Sequence, residues 1–334
     1  MITDQVAERR PLIEAIEKRR QSKVIVYVTG DRPGMETQIS PEAVDIFVDH
    51  LDEIWPVKKI SLFLYTRGGN TAAAWRLINL LRTFCDELEV IVPSTAMSAG
   101  TLICLGANKI IMTKQGVLGP IDPSLHNPLN PPIPGSNQRA PVSVEAVQGY
   151  FDIAKNEFNI TDQSALAQIL ANLSQQIHPL VLGQIFRSRA QIRELANRLL
   201  EHQGLNDDEV AKVVSFLCSE SGSHDHTLNR REARQLGLRI ENPCKDFYSE
   251  IRTLYRQISD SLQLRDPYKP DTLLQGNQSA NYCLPRAMIE TLSLGSHQFL
   301  SEGILEKVAM PQPNGSVAQG IQDNRTFEAW RKVA

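Results

Sequence analysis

The chain has 334 residues, 42% of them hydrophobic and 22% charged, with 35 Lys plus Arg against 38 Asp plus Glu and a net charge of −3. This is globular composition at a length that suits one large domain or two ordinary ones, and it excludes a broad basic field for nucleic acid, a polyacidic tail and a low-complexity chain. Cys85, Cys104, Cys218, Cys244 and Cys283 are scattered without a CxxC pair, and no stretch reaches the roughly 18 apolar residues of a membrane span, so a cytoplasmic protein with no zinc site and no disulfide framework is expected.

Residues 1–22 read as a charged amphipathic helix with Val6, Leu12, Ile13 and Ile16 on one side. Lys23–Thr29 is a β-branched run that predicts a strand. Ser40 as N-cap, Pro41 at the start and apolar residues at helical spacing predict a helix over Pro41–Trp55. Strands at Ile60–Tyr65, Leu88–Pro93 and Lys109–Met112 alternate with helices at Thr71–Cys85 and Ser98–Ala107. This alternation, from about residue 23 to 113, implies βα crossovers and a mostly parallel sheet, an α/β fold. Pro120–Pro141 is a long Pro- and Asn-rich loop without a period, the kind of loop that carries function or moves. Helices are predicted at Val144–Phe158, Asp162–Leu173, Pro179–His202, Asp207–Ser219, Arg231–Leu238 and Phe247–Leu262. Short strands at Arg286–Leu294 and Gly303–Val308 would belong to a small C-terminal unit.

Two strand ends carry chemistry. The strand at Ile60–Tyr65 runs into Thr66-Arg67-Gly68-Gly69-Asn70, where paired glycines leave main-chain N–H groups accessible to a phosphate or an oxyanion. The spacing is neither GxGxxG nor GxxxxGK[ST], and a tight strand-to-helix turn explains it equally well. The next strand runs into Ser94-Thr95-Ala96-Met97-Ser98-Ala99-Gly100-Thr101, which sets a serine among small residues at the start of a buried helix. Alone, Ser98 would serve as an N-cap. Beside the glycine pair of the preceding crossover, it reads as a nucleophile, although Ala96 replaces the first Gly of the G-x-S-x-G elbow.

Thr66-Arg67-Gly68-Gly69-Asn70, followed by Ala96-Met97-Ser98-Ala99-Gly100 and Leu118-Gly119-Pro120-Ile121-Asp122-Pro123, resembles the Clp/crotonase superfamily of serine peptidases. The resemblance is greatest to the serine dehydrogenase proteinase family, relatives of signal peptide peptidase A and the Clp protease. It covers about residues 23–125 and resumes over Ser223–Leu238. It implies peptide-bond hydrolysis through Ser98, an oxyanion hole built from the N–H groups of Gly68, Gly69 and Ala99, no metal or nucleotide cofactor, and a homo-oligomer that admits peptides or unfolded protein. It also implies a spiral of βα units over 23–265 with a helical insertion at about 142–220, preceded by the helix of 1–22 and followed by an extension over 266–334.

The general base departs from the family pattern. Lys109–Pro120 contains no His where the Clp protease has one, and no Lys stands near Glu145, the position comparable to that of the signal-peptide-peptidase base. Asp225 matches the third member of the Clp triad, with Asn229 where that pattern has Ser. The candidate bases rank as His224, His226, His126 and Lys114, with Asp225 or Asp122 orienting the imidazole. Two other readings stay open: a crotonase-type enzyme that holds a coenzyme A thioester in the same oxyanion hole, and a Clp-like scaffold that is silent or awaits a partner.

Overall fold

The computed structural model describes residues 2–121, 124–125, 128–220, 226–311 and 317–333. The chain opens with helix α1 (Ile2–Arg20) and strand β1 (Lys23–Thr29), and continues through α2 (Pro41–Ile54), β2 (Val57–Tyr65), α3 (Thr71–Phe84) and β3 (Cys85–Val92). A two-residue strand β4 (Thr95–Ala96) leads into α4 (Ala99–Leu105), then β5 (Lys109–Met112) and β6 (Val117–Leu118). The Pro-rich stretch holds a small ladder, β7 (Ser124–Leu125) against β8 (Val142–Ser143). Helices α5 (Val144–Asp152), α6 (Gln163–Gln176), α7 (Pro179–Leu200) and α8 (Asp207–Ser215) follow, across the stretch expected to be a helical insertion. The chain then returns through β9 (Leu228–Asn229), α9 (Arg230–Leu236), β10 (Ile240–Glu241) and α10 (Lys245–Ser261). Helix α11 (Pro270–Leu274) and strands β11 (Ser279–Thr291), β12 (Gly295–Pro311) and β13 (Val317–Lys332) complete it.

One eight-stranded sheet organises the molecule, in the order β10-β5-β3-β2-β1-β11-β12-β13. From β10 to β1 the neighbours are parallel, as βα crossovers require. From β1 onward they are antiparallel: β11, β12 and β13 follow one another along the chain, whereas β1 pairs with β11 from the opposite end of the sequence. Successive residues of β1 alternate between two cores, as the two-residue period of a strand dictates. Ile25 and Tyr27 face α2, α3, α4 and α7, whereas Val24, Val26 and Val28 face α1 and α10. Both faces are covered, which is why the strand reads as an unbroken apolar run. Ile13 and Ile16 of α1 are fully buried on the second face, and burial stabilises each side chain by about 1.5–3 kcal/mol.

Buried charges lock α1 to this sheet. Arg9 meets the Glu290 carboxylate of β11 at 2.6 Å and donates to Ser261 Oγ at 2.9 Å. Glu89 of β3 lies between Arg20, Lys59 and Ser61. Burial alone would raise the Glu89 pKa, but those three bonds outweigh it and hold the carboxyl below its ordinary value. The C-terminal residues add three strands directly to the main sheet; the strand expected at Gly303–Val308 falls inside the longer β12, whereas the one expected at Arg286–Leu294 overlaps only the end of β11 and runs past it into a turn. Among the described residues no helix is long and apolar enough to cross a membrane.

Candidate active site

Ser98 sits between β4 and α4 with φ +51° and ψ −116°, a left-handed-side conformation that costs a non-glycine residue about 1–3 kcal/mol. Bonds on both sides impose it. Met97 N–H donates to Thr66 O at 3.0 Å, and Thr66 N–H donates to Thr95 O at 3.0 Å, so β4 is bridged to the end of β2. On the other side Gly100 N–H turns back to Met97 O at 2.8 Å. Ser98 occupies the N-cap position of α4, yet its hydroxyl makes no capping bond. The residue is half-buried.

The glycine pair packs against this serine. Gly68 and Gly69 adopt φ +117° and +141°, values that L side chains rarely take. A Cβ on Gly68 would stand 2.8 Å from Ser98 Cβ and 3.3 Å from Ser98 Oγ. The four N–H groups around Ser98 differ in their engagement. Gly68 N–H donates to the buried Thr66 Oγ1 at 3.0 Å, and Gly100 N–H is held by Met97 O. Those of Gly69 and Ala99 have no acceptor among the described residues. Two main-chain donors are thus left beside one hydroxyl, an arrangement suited to stabilising negative charge on an oxygen.

Thr66, which the sequence reading passed over, ties this corner together. Its hydroxyl meets Thr29 Oγ1 at 2.6 Å and accepts the Gly68 N–H. Its place two residues before the glycine pair is the only sequence signal it offers. Arg67 projects from the same loop, 65% exposed, with Nε donating to Asp31 Oδ2 at 2.9 Å. Asp31 also accepts the Tyr65 hydroxyl at 2.9 Å. Burial, followed by the charge of Asp31 and the neighbouring Tyr255, pushes the Tyr65 pKa far up. A cavity of about 370 Å³ adjoins Asn70 and is lined by Ile39, Pro41, Arg286, Phe299 and Trp330 rather than by Ser98.

The candidate bases divide. His224 and Asp225, expected as base and orienting partner, lie outside the described residues, as do Asp122 and His126. His226 is half-buried with its ring edge-on to Phe216 at 5.5 Å. It precedes β9, which pairs with β6, which in turn pairs with β4, so the returning chain comes within two strands of the Ser98 turn. Lys114 is exposed and lies over the Tyr248 ring at 5.4 Å. Among the described residues no group of three or more His, Cys, Asp or Glu is placed to hold a metal ion.

Comparison with known proteins accords with these features. The chain is 32% identical over 201 residues to the uncharacterized protein MJ0137 of Methanocaldococcus jannaschii, a match that covers 60% of this chain and 59% of that protein. It is 25% identical over 264 residues to MJ1495 of the same organism, covering 77% of this chain and 80% of that one. Similar solved structures include the 1510-N membrane-bound stomatin-specific protease, at 18% identity over 72% of this chain and 86% of that one, with a TM-score of 0.38. They also include ClpP1 from Listeria monocytogenes, at 15% identity over 70% of this chain and 99% of that one, with a TM-score of 0.36. Residues 51–272 match the sequence profile of the ClpP-like SDH-type serine proteinases. That span is more than half of the chain and holds the glycine pair, Ser98 and the returning segment through β9, so the protein, with its α/β ClpP-like fold, belongs to the ClpP-like SDH-type serine proteinase family.

Proposed function

We propose that the protein is a serine peptidase whose nucleophile is Ser98. The observation that carries this reading is a strained serine, its hydroxyl free of capping, beside two N–H groups that lack acceptors among the described residues. Ser98 Oγ attacks the scissile carbonyl carbon, and the carbonyl oxygen becomes an oxyanion that accepts from Gly69 N–H and Ala99 N–H. Gly68 contributes backbone shape rather than a donor, because its own N–H is held by Thr66. Loss of one such donor typically raises the barrier by about 3–4 kcal/mol. Collapse of the tetrahedral species breaks the C–N bond, the leaving amine takes up the proton removed from Ser98, and water then hydrolyses the acyl-enzyme.

His224 is the proposed proton carrier and Asp225 its orienting partner. Support comes from the β4-β6-β9 ladder, since β9 is entered directly from this segment. A homo-oligomer acting on unfolded chains fits the exposed apolar side chains of the insertion, among them Ile153, Phe158, Leu170 and Leu180, and fits α6, which buries none of its residues in the single chain.

The test is digestion of an unfolded protein such as reduced, alkylated casein by the full chain and by Ser98→Ala. Cleavage by the wild type that disappears in the variant supports the reading. Undiminished cleavage by the variant overturns it. Tight coenzyme A binding with no cleavage by either protein would favour the crotonase-type alternative.

A further inference from the structure

The direction of the Gly69 N–H is not set by the glycine loop alone. Gly68 C=O and Gly69 N–H share one planar trans peptide, so the two groups point opposite ways. Ile39 N–H donates to Gly68 O at 2.8 Å, and Asn70 N–H returns to Ile39 O at 2.8 Å. The Gly69 N–H is therefore turned away from Ile39. Contact here is backbone to backbone: a Cβ on Gly69 would lie 2.5 Å from both N and O of Ile39. Residues 35–40 thus form a strap along the outer side of the glycine loop.

Arg286 fastens this strap. It stands at the irregularity between Pro285 and Ala287 in β11, where a bulge re-aims a side chain. Its Nε donates to Met35 O at 3.0 Å, and its Nη2 donates to Glu36 O. Behind it, Nη1 is gripped by Ser301 Oγ at 3.1 Å and by the Glu328 carboxylate. The main chain of Arg286 acts in the same direction. Its carbonyl accepts Gly30 N–H at 2.8 Å and Thr37 Oγ1–H at 3.1 Å, and Thr37 N–H reaches Gly30 O at 2.8 Å. The carbonyl, Nε and Nη2 of this residue thus hold the strap, while Nη1 is braced on β12 and β13. The anchoring strands β11–β13 lie beyond residue 272, outside the span matched by the family profile.

We infer that Arg286 is a positioning residue for the oxyanion hole: through residues 35–39 it fixes the Gly68–Gly69 peptide plane and so aims the Gly69 N–H. The C-terminal strands thereby control a core catalytic feature from outside the matched core. This inference rests on Ser98 being the nucleophile, and its test separates the two ideas.

The rate at which a fluorophosphonate modifies Ser98 is followed by intact mass in the wild type, in Arg286→Ala and in Thr37→Val, each as the full chain. Arg286→Ala is expected to slow modification by about tenfold or more, the scale of effect that sub-ångström misalignment produces. Millimolar methylguanidinium, which can refill the vacated guanidinium position, is expected to restore much of the rate, a recovery that general loosening of the fold would not show. Thr37→Val is expected to slow modification in the same direction but less. A labelled wild type with an unslowed Arg286→Ala, or with a slowing that methylguanidinium leaves untouched, overturns the inference alone. Should Arg286→Ala fail to fold, Thr37→Val decides, and an unchanged rate in it overturns the inference. A wild type that takes no label on Ser98 overturns the peptidase reading and this inference with it.

Discussion

Gly68→Ala probes the site with a single methyl group. The backbone at this position has φ +117°, which costs a residue with a Cβ about 1–3 kcal/mol. The new Cβ would lie 2.8 Å from Ser98 Cβ and 3.0 Å from Met97 O, where ordinary contact begins at 3.4 Å. Ser98, its neighbour on the β4–α4 turn, or the glycine loop must therefore retreat by about half an ångström. Strain of this size lowers the melting temperature by about 2–12 °C, at about 2–4 °C per kcal/mol for a large domain. Catalysis suffers more, because a displacement of about 1 Å at reacting groups can cost about 10²-fold. The expected outcome is a folded protein, less heat-stable, whose Ser98 reacts with a fluorophosphonate at least about tenfold more slowly. Thermal melting and timed intact-mass spectra measure the two quantities separately. A Gly68→Ala protein that labels at the wild-type rate would refute the packing argument.

Other parts of the structure make equally definite predictions. Arg9 and Glu290 are each 1% exposed and 2.6 Å apart, so Arg9→Met leaves a buried carboxylate without its cation and should cost about 3–5 kcal/mol in urea unfolding. A loss below about 1 kcal/mol would show that the pair is not buried as described. His50, between Thr291 Oγ1 at 2.8 Å and His297 Nδ1 at 3.0 Å, has its pKa lowered from 6.5 to about 3 by burial and then by the His297 and Lys332 charges. The folded state keeps this imidazole neutral while the unfolded chain takes up a proton below pH 6.5, so its contribution is intact above pH 6.5 and is lost as pH falls toward 3. The slope is at most about 1.4 kcal/mol per pH unit, and His50→Gln should flatten the measured dependence. Parallel wild-type and variant curves would contradict that assignment. Gly69→Ala places a Cβ 2.5 Å from the Ile39 backbone and should displace the strap, with a larger loss of labelling rate than Gly68→Ala in parallel assays.

Sequence pattern reached some of this structure and not the rest, for physical reasons. The limits of β1 and β5 coincide with their β-branched runs, since strands buried on both faces must be apolar throughout. Strand β13, by contrast, reads Val317–Lys332 with polar and charged residues along most of its length. Its partner β12 makes it a strand, and no local signal could reveal a pairing that depends on a neighbour. Ser98 and the glycine pair were legible because close approach to a backbone demands small residues in a fixed local order. The division of labour between the two glycines was not: only the position of Thr66 Oγ1 shows that the Gly68 N–H is engaged while that of Gly69 is open. Ile39 and Arg286 were equally hidden, because one acts through its main chain and the other from the far end of the sequence.

The most direct measurement of the central claim is the site of covalent modification by a fluorophosphonate in the full chain, located by peptide mass spectrometry. A single adduct on the peptide containing Ser98, absent from Ser98→Ala, is expected. An adduct that persists in Ser98→Ala, or a folded wild-type protein that takes up none, would contradict that claim.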